Sequence, residues 1–566
     1  MGMERWLPVA YFVAALLLAV ALLPSILRQS PPQPNQTAEL SPDAPPDPHQ
    51  QPLIAALNRA QSGTAGNGNG NGAGAPGGAG SAGTVTPPAA RPPGITPRSC
   101  PFGFGNPPRQ TFSLYSGPCA PAWSGDNGGA TSKGVSPTEV RVAVGWPTGD
   151  SGTAGPVQAS RHGGESDNDR TMIDIQQWLN SHYQLWGRRI QLYVVNGGDN
   201  QSDYASIAAQ MDQGIHAFAA VYGRYKLMAD LAGRGIVAFG EQLDQFSEAF
   251  YSAHDPYLWN WTASTTDLLG MSAEYVCKKL IGHPAEFSGT SDLKASPRKL
   301  GILFNHHEGA EHLDQEFAVP LAKECGGRVD TRIAFEGASS FDQTAIATAV
   351  TRLHEEGVTT VVVALDFVTM SQLTAYAASS GYVPEWLVTG VGNTDFPEQA
   401  REFMSQAEWS HAFGLSALEL EYAQNGLDGN VAESDCYRAV VEVDPSASPQ
   451  ANPCISFASL LQVANGIQGA GPRLTPDTFE QGLFHAGTRL PSPAWSIGGG
   501  YTPGRHAYPL YAGEIWYDAG ATNSQGTAGN YRWTHRGQKF TFGQWDPDVS
   551  ELFKSGYTMR RQVESH

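Results

Sequence analysis

The chain has 566 residues, enough for two core-bearing domains plus appendages. Its 54 Asp and Glu outweigh 35 Lys and Arg, a formal net charge of -19. A phosphate-binding face needs clustered Lys and Arg, so this balance excludes nucleic acid as a partner and reads as an acidic, solvated surface.

The first segment, 1–28, carries Arg5, an unbroken apolar stretch from Trp6 to Leu27, and then Arg28. As a helix, that stretch spans roughly 33 Å at about 1.5 Å per residue, which matches a hydrocarbon core of about 30 Å. Its exit, Leu22-Leu23-Pro24-Ser25-Ile26, has no small-x-small cleavage pattern and no Cys to carry a lipid. The expectation is an uncleaved signal anchor, a single transmembrane helix, rather than a cleaved signal peptide. Residues 29–98 read as a disordered linker. Pro31-Pro32, Pro45-Pro46 and Pro87-Pro88 favour extended backbone, and the Gly/Asn/Ala run from Gly66 to Gly80 cannot bury a core. Within it, His49 to Ser62 has the pattern of a short helix.

Residues 99–134 form an extension carrying the first two of six cysteines: Cys100, Cys119, Cys277, Cys325, Cys436 and Cys454. No C-x-x-C occurs, which argues against a zinc ribbon or a thioredoxin-like motif. An even count in an exported chain points to disulfides. Pairing by proximity gives Cys100–Cys119, Cys277–Cys325 and Cys436–Cys454, one of about fifteen connectivities for six cysteines.

From Val140 the pattern becomes that of a globular α/β protein. Val140–Trp146 reads as a strand by its β-branched, apolar run. Asp169 to Tyr183 places Met172, Ile175, Trp178 and Leu179 at helical spacing. Strands follow at Ile190–Val195, Ala217–Val221 and Ile236–Phe239, with a helix through Tyr204, Ile207, Ala208 and Met211, capped by Ser202 or Asp203. This β-α-β-α-β-(α)-β order implies a parallel sheet covered on both faces. The pattern then restarts. Helices are expected at Thr266–Leu280, Glu311–Cys325, Gln343–Glu356 and Thr369–Ser379, alternating with strands at Leu300–Phe304, Val329–Phe335, Thr359–Leu365 and Trp386–Thr389. Later helices are expected at Phe457–Gly466 and Pro476–Phe484, and a late strand at Glu514–Tyr517.

Over roughly Val135 to Trp545 the chain resembles the leucine/isoleucine/valine-binding family of ABC-transporter substrate-binding proteins, in the type I periplasmic-binding class. Val140–Gly155 resembles that family's first strand and Gly/Thr/Ser-rich loop. Gly187-Arg188-Arg189-Ile190-Gln191-Leu192 resembles its "L-G-R-K-I-E-L" segment, and Asp199-Asn200 the "D-D-x-x-D-P" turn after it. Val221-Tyr222-Gly223 resembles the third strand running into a binding loop. Lys299–Glu316 resembles "K-V-A-I-L-Y-x-x-x-x-Y-G-x-x-x-x-E". Gly326-Gly327 and Phe341 resemble the Gly pair and the "D-F-S" helix opening that follow. The resemblance implies two Rossmann-like lobes with parallel central sheets, joined by a hinge that the chain crosses three times. Lobe one would be 135–258 with 422–490, and lobe two 259–421 with 491–566.

The resemblance also implies a small-molecule solute held between the lobes and delivered to an ABC-type permease from outside the cytoplasm, with the anchor in the membrane. A ligand-sensing or structural envelope ectodomain is the alternative use of the same fold. No cofactor is implied. Independently, ligands of open parallel sheets bind beyond the carboxyl ends of the strands. That nominates Trp146, Thr148 and Ser151 after the first strand, Arg224 and Tyr225 after the third, and Glu241 and Gln242 after the fourth. In lobe two it nominates His306, His307, Asp366, Phe367 and Asn393.

Enzyme motifs fail on context. Gly149-Asp150-Ser151-Gly152 mimics a serine-protease nucleophile loop, but His49 is the one His upstream of it. The same loop is no dinucleotide fingerprint, no phosphate-binding G-x-x-x-x-G-K-[ST] occurs, and His306, His307 and His312 lack a metal-ligand spacing. The ligand set departs from the family's. The loop after the third strand offers Gly223-Arg224-Tyr225 where relatives carry hydroxyls. In lobe two the aromatic position falls near Gly309 and the acidic one near Gly390, leaving Asp366 as a substitute. The solute expected is therefore not leucine, isoleucine or valine but a bulkier, partly apolar or anionic one, with Arg224 as its bidentate partner.

Overall fold

In the computed structural model, the alternation of valines that begins at Val140 becomes the strand β1 (Glu139–Trp146). Val140, Val142 and Val144 enter one core, while Ala143 enters another on the opposite face, the period of two that a pleated strand imposes. The structure describes residues 109–558 apart from 112, 114, 122, 147–154, 158–165, 197–203, 222–224, 241–244, 338–339, 341, 419–433, 451–452, 455, 492–497, 523–525 and 555–556. All of these fall within the unit Ala56–His566.

The first lobe is built on a six-stranded sheet. Its other strands are β2 (Gly155–Pro156), β3 (Arg189–Asn196), β4 (Ala219–Val221), β5 (Val237–Gly240) and β6 (Leu258–Asn260), in the order β2-β3-β1-β4-β5-β6. All pairings are parallel except that of β2 with β3. Helix Asp167–His182, capped by the Ser166 hydroxyl on the Asp169 amide, covers one face with Met172, Ile175, Trp178 and Leu179. Helices Phe457–Ala470 and Pro476–His485 complete that core. Helices Tyr204–Ala209, Tyr225–Gly233 and Glu248–Ala253 cover the other face. Each side chain of Val or Leu size so buried contributes about 1.5–3 kcal/mol.

In the second lobe, β7 (Leu300–His306), β8 (Thr331–Glu336), β9 (Thr360–Ala364), β10 (Glu385–Val388) and β11 (Ala412–Ser416) run parallel, in the order β11-β10-β9-β7-β8. This sheet is not wholly parallel, as the sequence reading had it. β12 (Ala512–Thr522) joins β11 antiparallel and pairs in turn with β13 (Ala528–Trp533) and β14 (Lys539–Phe540), while β15 (Tyr557–Thr558) extends β13. The connection from β12 to β13 is too short for the crossover a parallel pair needs.

The chain passes between the lobes three times: after β6, between β11 and helix Asp435–Val443, and just before β12. The packing shifts two boundaries from those read in the sequence. Trp259, placed at the start of lobe two, is buried in the first core. Tyr501, Ala507 and Tyr508, placed in lobe two by the boundary at 490/491, also pack on the first lobe, because the segment 498–510 runs back along β6 before crossing. The expected helix Thr266–Leu280 is α-helical over Thr265–Tyr275 and widens to a π turn over Val276–Leu280.

Cys277, in that π turn, is bonded to Cys325, the last residue of helix Leu313–Cys325, with their Cα atoms 5.7 Å apart. Cys436 and Cys454 are bonded at 5.6 Å. Cys119 is also disulfide-bonded, and Cys100 lies outside the described residues. Among the described residues no helix is long and apolar enough to cross a membrane. The stretch Trp6–Leu27, the linker and the expected helix His49–Ser62 lie outside them.

The Cys277–Cys325 bond closes a loop across two neighbouring helices of one face. Replacing both cysteines by serine is expected to lower unfolding free energy by about 2–4 kcal/mol, read by urea titration. Non-reducing peptide mapping that recovers Cys277 joined to any cysteine other than Cys325 would refute the pairing.

Candidate functional site

The three crossings converge on a narrow cavity open to solvent. The first crossing contributes Trp261, Thr262 and Ala263, the second Ala417 and Leu418, and the third Tyr508 and Pro509. The second lobe adds Gly390, Asn393, Asp395 and Phe396, and the first lobe Gln245. Tyr115, from the extension before β1, completes the wall. It meets Tyr508 edge-on, with ring centroids 5.6 Å apart.

The loop after β10 is shaped by backbone that only small residues tolerate. Gly390 and Gly392 have φ of 82° and 67°, and a Cβ on Gly392 would lie 2.3 Å from the Leu365 carbonyl oxygen. The Gln245 side chain reads this loop from the other lobe. Its Nε2 donates to the Gly390 carbonyl at 3.2 Å, and its Oε1 accepts from the Gly392 amide at 3.0 Å. Nearby, the lobes touch where Gly309 meets Phe246 and Phe250. A Cβ on Gly309 would lie 2.5 Å from the Phe246 ring. The missing aromatic at Gly309 is thus matched by two phenylalanines from the opposite lobe.

Asp395 is the chemically distinctive group of the cavity. It is 2 % exposed. Its Oδ2 accepts the Ser416 hydroxyl at 2.7 Å, while its Oδ1 has no hydrogen-bond partner. Burial pushes its carboxyl up to about 7, against the smaller opposing pull of the Ser416 hydroxyl. No Lys or Arg forms an ion pair with it among the described residues. The Asp395 carboxyl shares the cavity wall with the rings of Tyr115, Trp261, Phe396 and Tyr508.

The residues nominated from sequence fall into three groups. Thr148, Ser151, Arg224, Glu241 and Gln242 lie outside the described residues; Trp146 ends β1 and Tyr225 begins helix Tyr225–Gly233, with their side chains likewise outside. Asn393 lines the cavity, in left-handed backbone at φ 61°. The remaining lobe-two nominees are not cavity-lining. His306 ends β7, with its Nδ1 3.1 Å from Glu336. His307 bonds the Glu308 carbonyl through Nδ1, and burial holds its imidazole toward the neutral form.

Asp366 and Phe367 make local contacts within the second lobe. Asp366 is the N-cap of helix Phe367–Ser380: Oδ1 accepts the amides of Val368 and Thr369, and Oδ2 accepts the Thr369 hydroxyl and Asn305 Nδ2. A carboxylate holding four donors is spoken for and does not replace the missing ligand acid. Phe367 is 2 % exposed in the second lobe's core, against Phe403. Tyr115, Gln245, Trp261, Asp395 and Phe396 were not nominated. For Asp395 the signal was its position two residues beyond Asn393; for Tyr115 none was present.

No family model matches the chain, and no curated protein matches it. Solved structures do resemble it. One is a possible leucine/isoleucine/valine-binding protein from Rhodopirellula baltica SH 1, at 9% identity and TM-score 0.48, covering 70% of this chain and 97% of that one. Another is the solute-binding protein of an ABC transporter from R. palustris in complex with 4-hydroxybenzoate, at 11% identity and TM-score 0.47, covering 74% and 100%. A third is a fatty acid ABC transporter substrate-binding protein from Thermomonospora curvata, at 12% identity and TM-score 0.47, covering 72% and 94%.

The raised carboxyl of Asp395 fixes the sign of a pH effect. The folded protein keeps a proton there that the unfolded chain releases near its ordinary value, so stability declines as pH rises from about 4 to about 7 and stays low above. Asp395→Asn removes this loss. The variant is expected to gain about 2–4 kcal/mol over the parent at pH 8 and to match it within about 1 kcal/mol at pH 4.5. Urea titrations at the two pH values measure this, and an equal effect at both would show that Asp395 is not a buried acid.

Proposed function

We propose that this chain is an extracytoplasmic solute-binding protein, tethered to the membrane by its first 28 residues, that captures a small molecule between its lobes for an ABC-type importer. The cavity at the three crossings carries this reading. A pocket whose wall is shared by both lobes and by the segments joining them makes ligand affinity depend on the angle between the lobes, the requirement for capture by hinge closure. Apolar walls with a few placed polar groups are the usual lining of small-molecule sites.

The solute this lining suits has an aromatic or branched apolar body and a donor or cationic group for Asp395 Oδ1. An anionic end directed at Arg224 is compatible with that arrangement and stays part of the proposal. Leucine has the charge but not the bulk to fill four aromatic walls.

Calorimetry on residues 99–566 tests the reading against aryl and branched amines, hydroxylated aromatic acids, fatty acids and branched amino acids. Micromolar binding of an aromatic amine or hydroxyl compound is expected, weakened at least tenfold by Asp395→Asn. Micromolar leucine binding untouched by Asp395→Asn would overturn the proposed solute class. Absence of binding across the whole panel, with a well-folded protein, would favour the structural envelope role instead.

The tether has its own test. After expression in the native host, the protein is expected in the membrane fraction with its amino-terminal peptide intact. Recovery as a soluble protein starting near residue 30 would refute the anchor and leave the solute reading standing.

A further inference from the structure

On the first lobe, away from the cavity lining, three separate chain segments direct metal-ligating side chains at one point. Asp255 follows helix Glu248–Ala253, Glu480 lies in helix Pro476–His485, and His506 sits in the return segment that leads to the third crossing. One ligand atom from each lies within 4.8 Å of the other two. His506 Nε2 abuts the Asp255 carboxylate and lies 3.9 Å from Glu480 Oε1.

The arrangement is more than a group of surface acids. The His506 side chain is 0 % exposed, and neither ring nitrogen has an aligned hydrogen bond, although one faces two carboxylates. Trp259 packs on the ring at 4.5 Å between centroids and holds its plane. Nδ1 points toward a third carboxylate, Glu248, at 3.9 Å, the outer partner that ligating histidines commonly have. The Asp255 side chain is 46 % exposed, which leaves a path from solvent. No Lys or Arg forms an ion pair with Asp255 or Glu480 among the described residues.

We propose that Asp255, Glu480 and His506 form a binding site for a divalent transition-metal ion, zinc or manganese. One imidazole nitrogen with two carboxylate oxygens is a donor set for such ions, whereas calcium prefers six to eight oxygens. Ligand distances of about 2.0–2.2 Å require the exposed Asp255 to rotate slightly away from the ring. Three protein ligands leave a coordination position for water on the solvent side. The ion would pin the return segment to the helix and loop beneath it. That segment carries Tyr508 to the cavity wall, so the metal fixes one wall of the solute site without touching the solute. The proposal does not depend on what the cavity binds.

The test uses the untagged full-length protein, stripped with EDTA and titrated with zinc or manganese chloride. One ion per chain is expected, with a rise in Tm that EDTA reverses. Cobalt in place of zinc should give a visible d–d spectrum that reports an ordered site. Asp255→Asn and Glu480→Gln keep size and shape and should leave the metal-free Tm unchanged, while each weakens affinity at least tenfold and together they abolish the cobalt spectrum. Binding that survives the double variant, or stoichiometry well below one in a protein that unfolds normally, would overturn the site and show a plain His506–Asp255 ion pair.

Discussion

The junction between the lobes rests on one pairing, that of two crossing segments at Asn260 and Ala507. The Asn260 amide donates to the His506 carbonyl at 2.9 Å, and the Tyr508 amide donates to the Asn260 carbonyl at 3.1 Å. The segment bound for β12 is thereby laid along the segment leaving β6, and both enter the second lobe side by side. The Asn260 side chain tightens the join. Its Oδ1 accepts from the amide and hydroxyl of Thr262, and its Nδ2 donates to the Tyr251 hydroxyl. The tie joins two of the three crossings at this junction. The cavity lies on it, with Trp261 and Thr262 from one strand and Tyr508 and Pro509 from the other.

The acidity of the chain is not only a matter of surface. Glu385 and Glu514 are buried and matched by cations: Arg298 pairs with the first, and Lys279 lies 3.1 Å from the second. Such pairs contribute little net stability, but losing one partner leaves an unpaired buried charge and costs about 3–5 kcal/mol. Asp395 and Glu408 are buried without a cation, and burial raises both carboxyls to about 7. Glu408 has the Trp386 indole N–H as a donor and sits beneath the second sheet. Asp395 opens onto the cavity. Burial without a cation thus raises a carboxyl both in the body of the second lobe and at the wall of the cavity.

The strands were legible where alternation or a continuous apolar run was long enough to see. Val140–Trp146 and Thr359–Leu365 are such cases, each within a residue or so of the strand observed. β6 has only three residues and no period to read, and missing it set the first lobe boundary inside that strand, just before Trp259. The site was less legible because residue type does not distinguish its uses. Asp366 follows a strand, as a ligand acid would, yet Thr369 three positions on marks it as a helix cap whose oxygens are filled locally. Asp395 stands in an ordinary-looking loop, Asn393-Thr394-Asp395-Phe396. Its importance comes from burial that β11 and the crossings impose from elsewhere in the chain. The two resolved disulfides were found by proximity because each joins neighbouring elements of one lobe.

The extension before β1 looked from its sequence like an appendage, yet it is bound into the first lobe. Asn465 of helix Phe457–Ala470 accepts the Gly117 amide through Oδ1 and donates to the Tyr115 carbonyl through Nδ2, while Gln468 donates to the Pro118 carbonyl. Tyr115 is thereby held against Tyr508 on the cavity wall. The domain defined by its sheets begins at β1, but the domain defined by its cavity begins more than twenty residues earlier. A recombinant fragment trimmed to the sheets would keep every strand of both lobes and still carry a breach in the wall of the chamber.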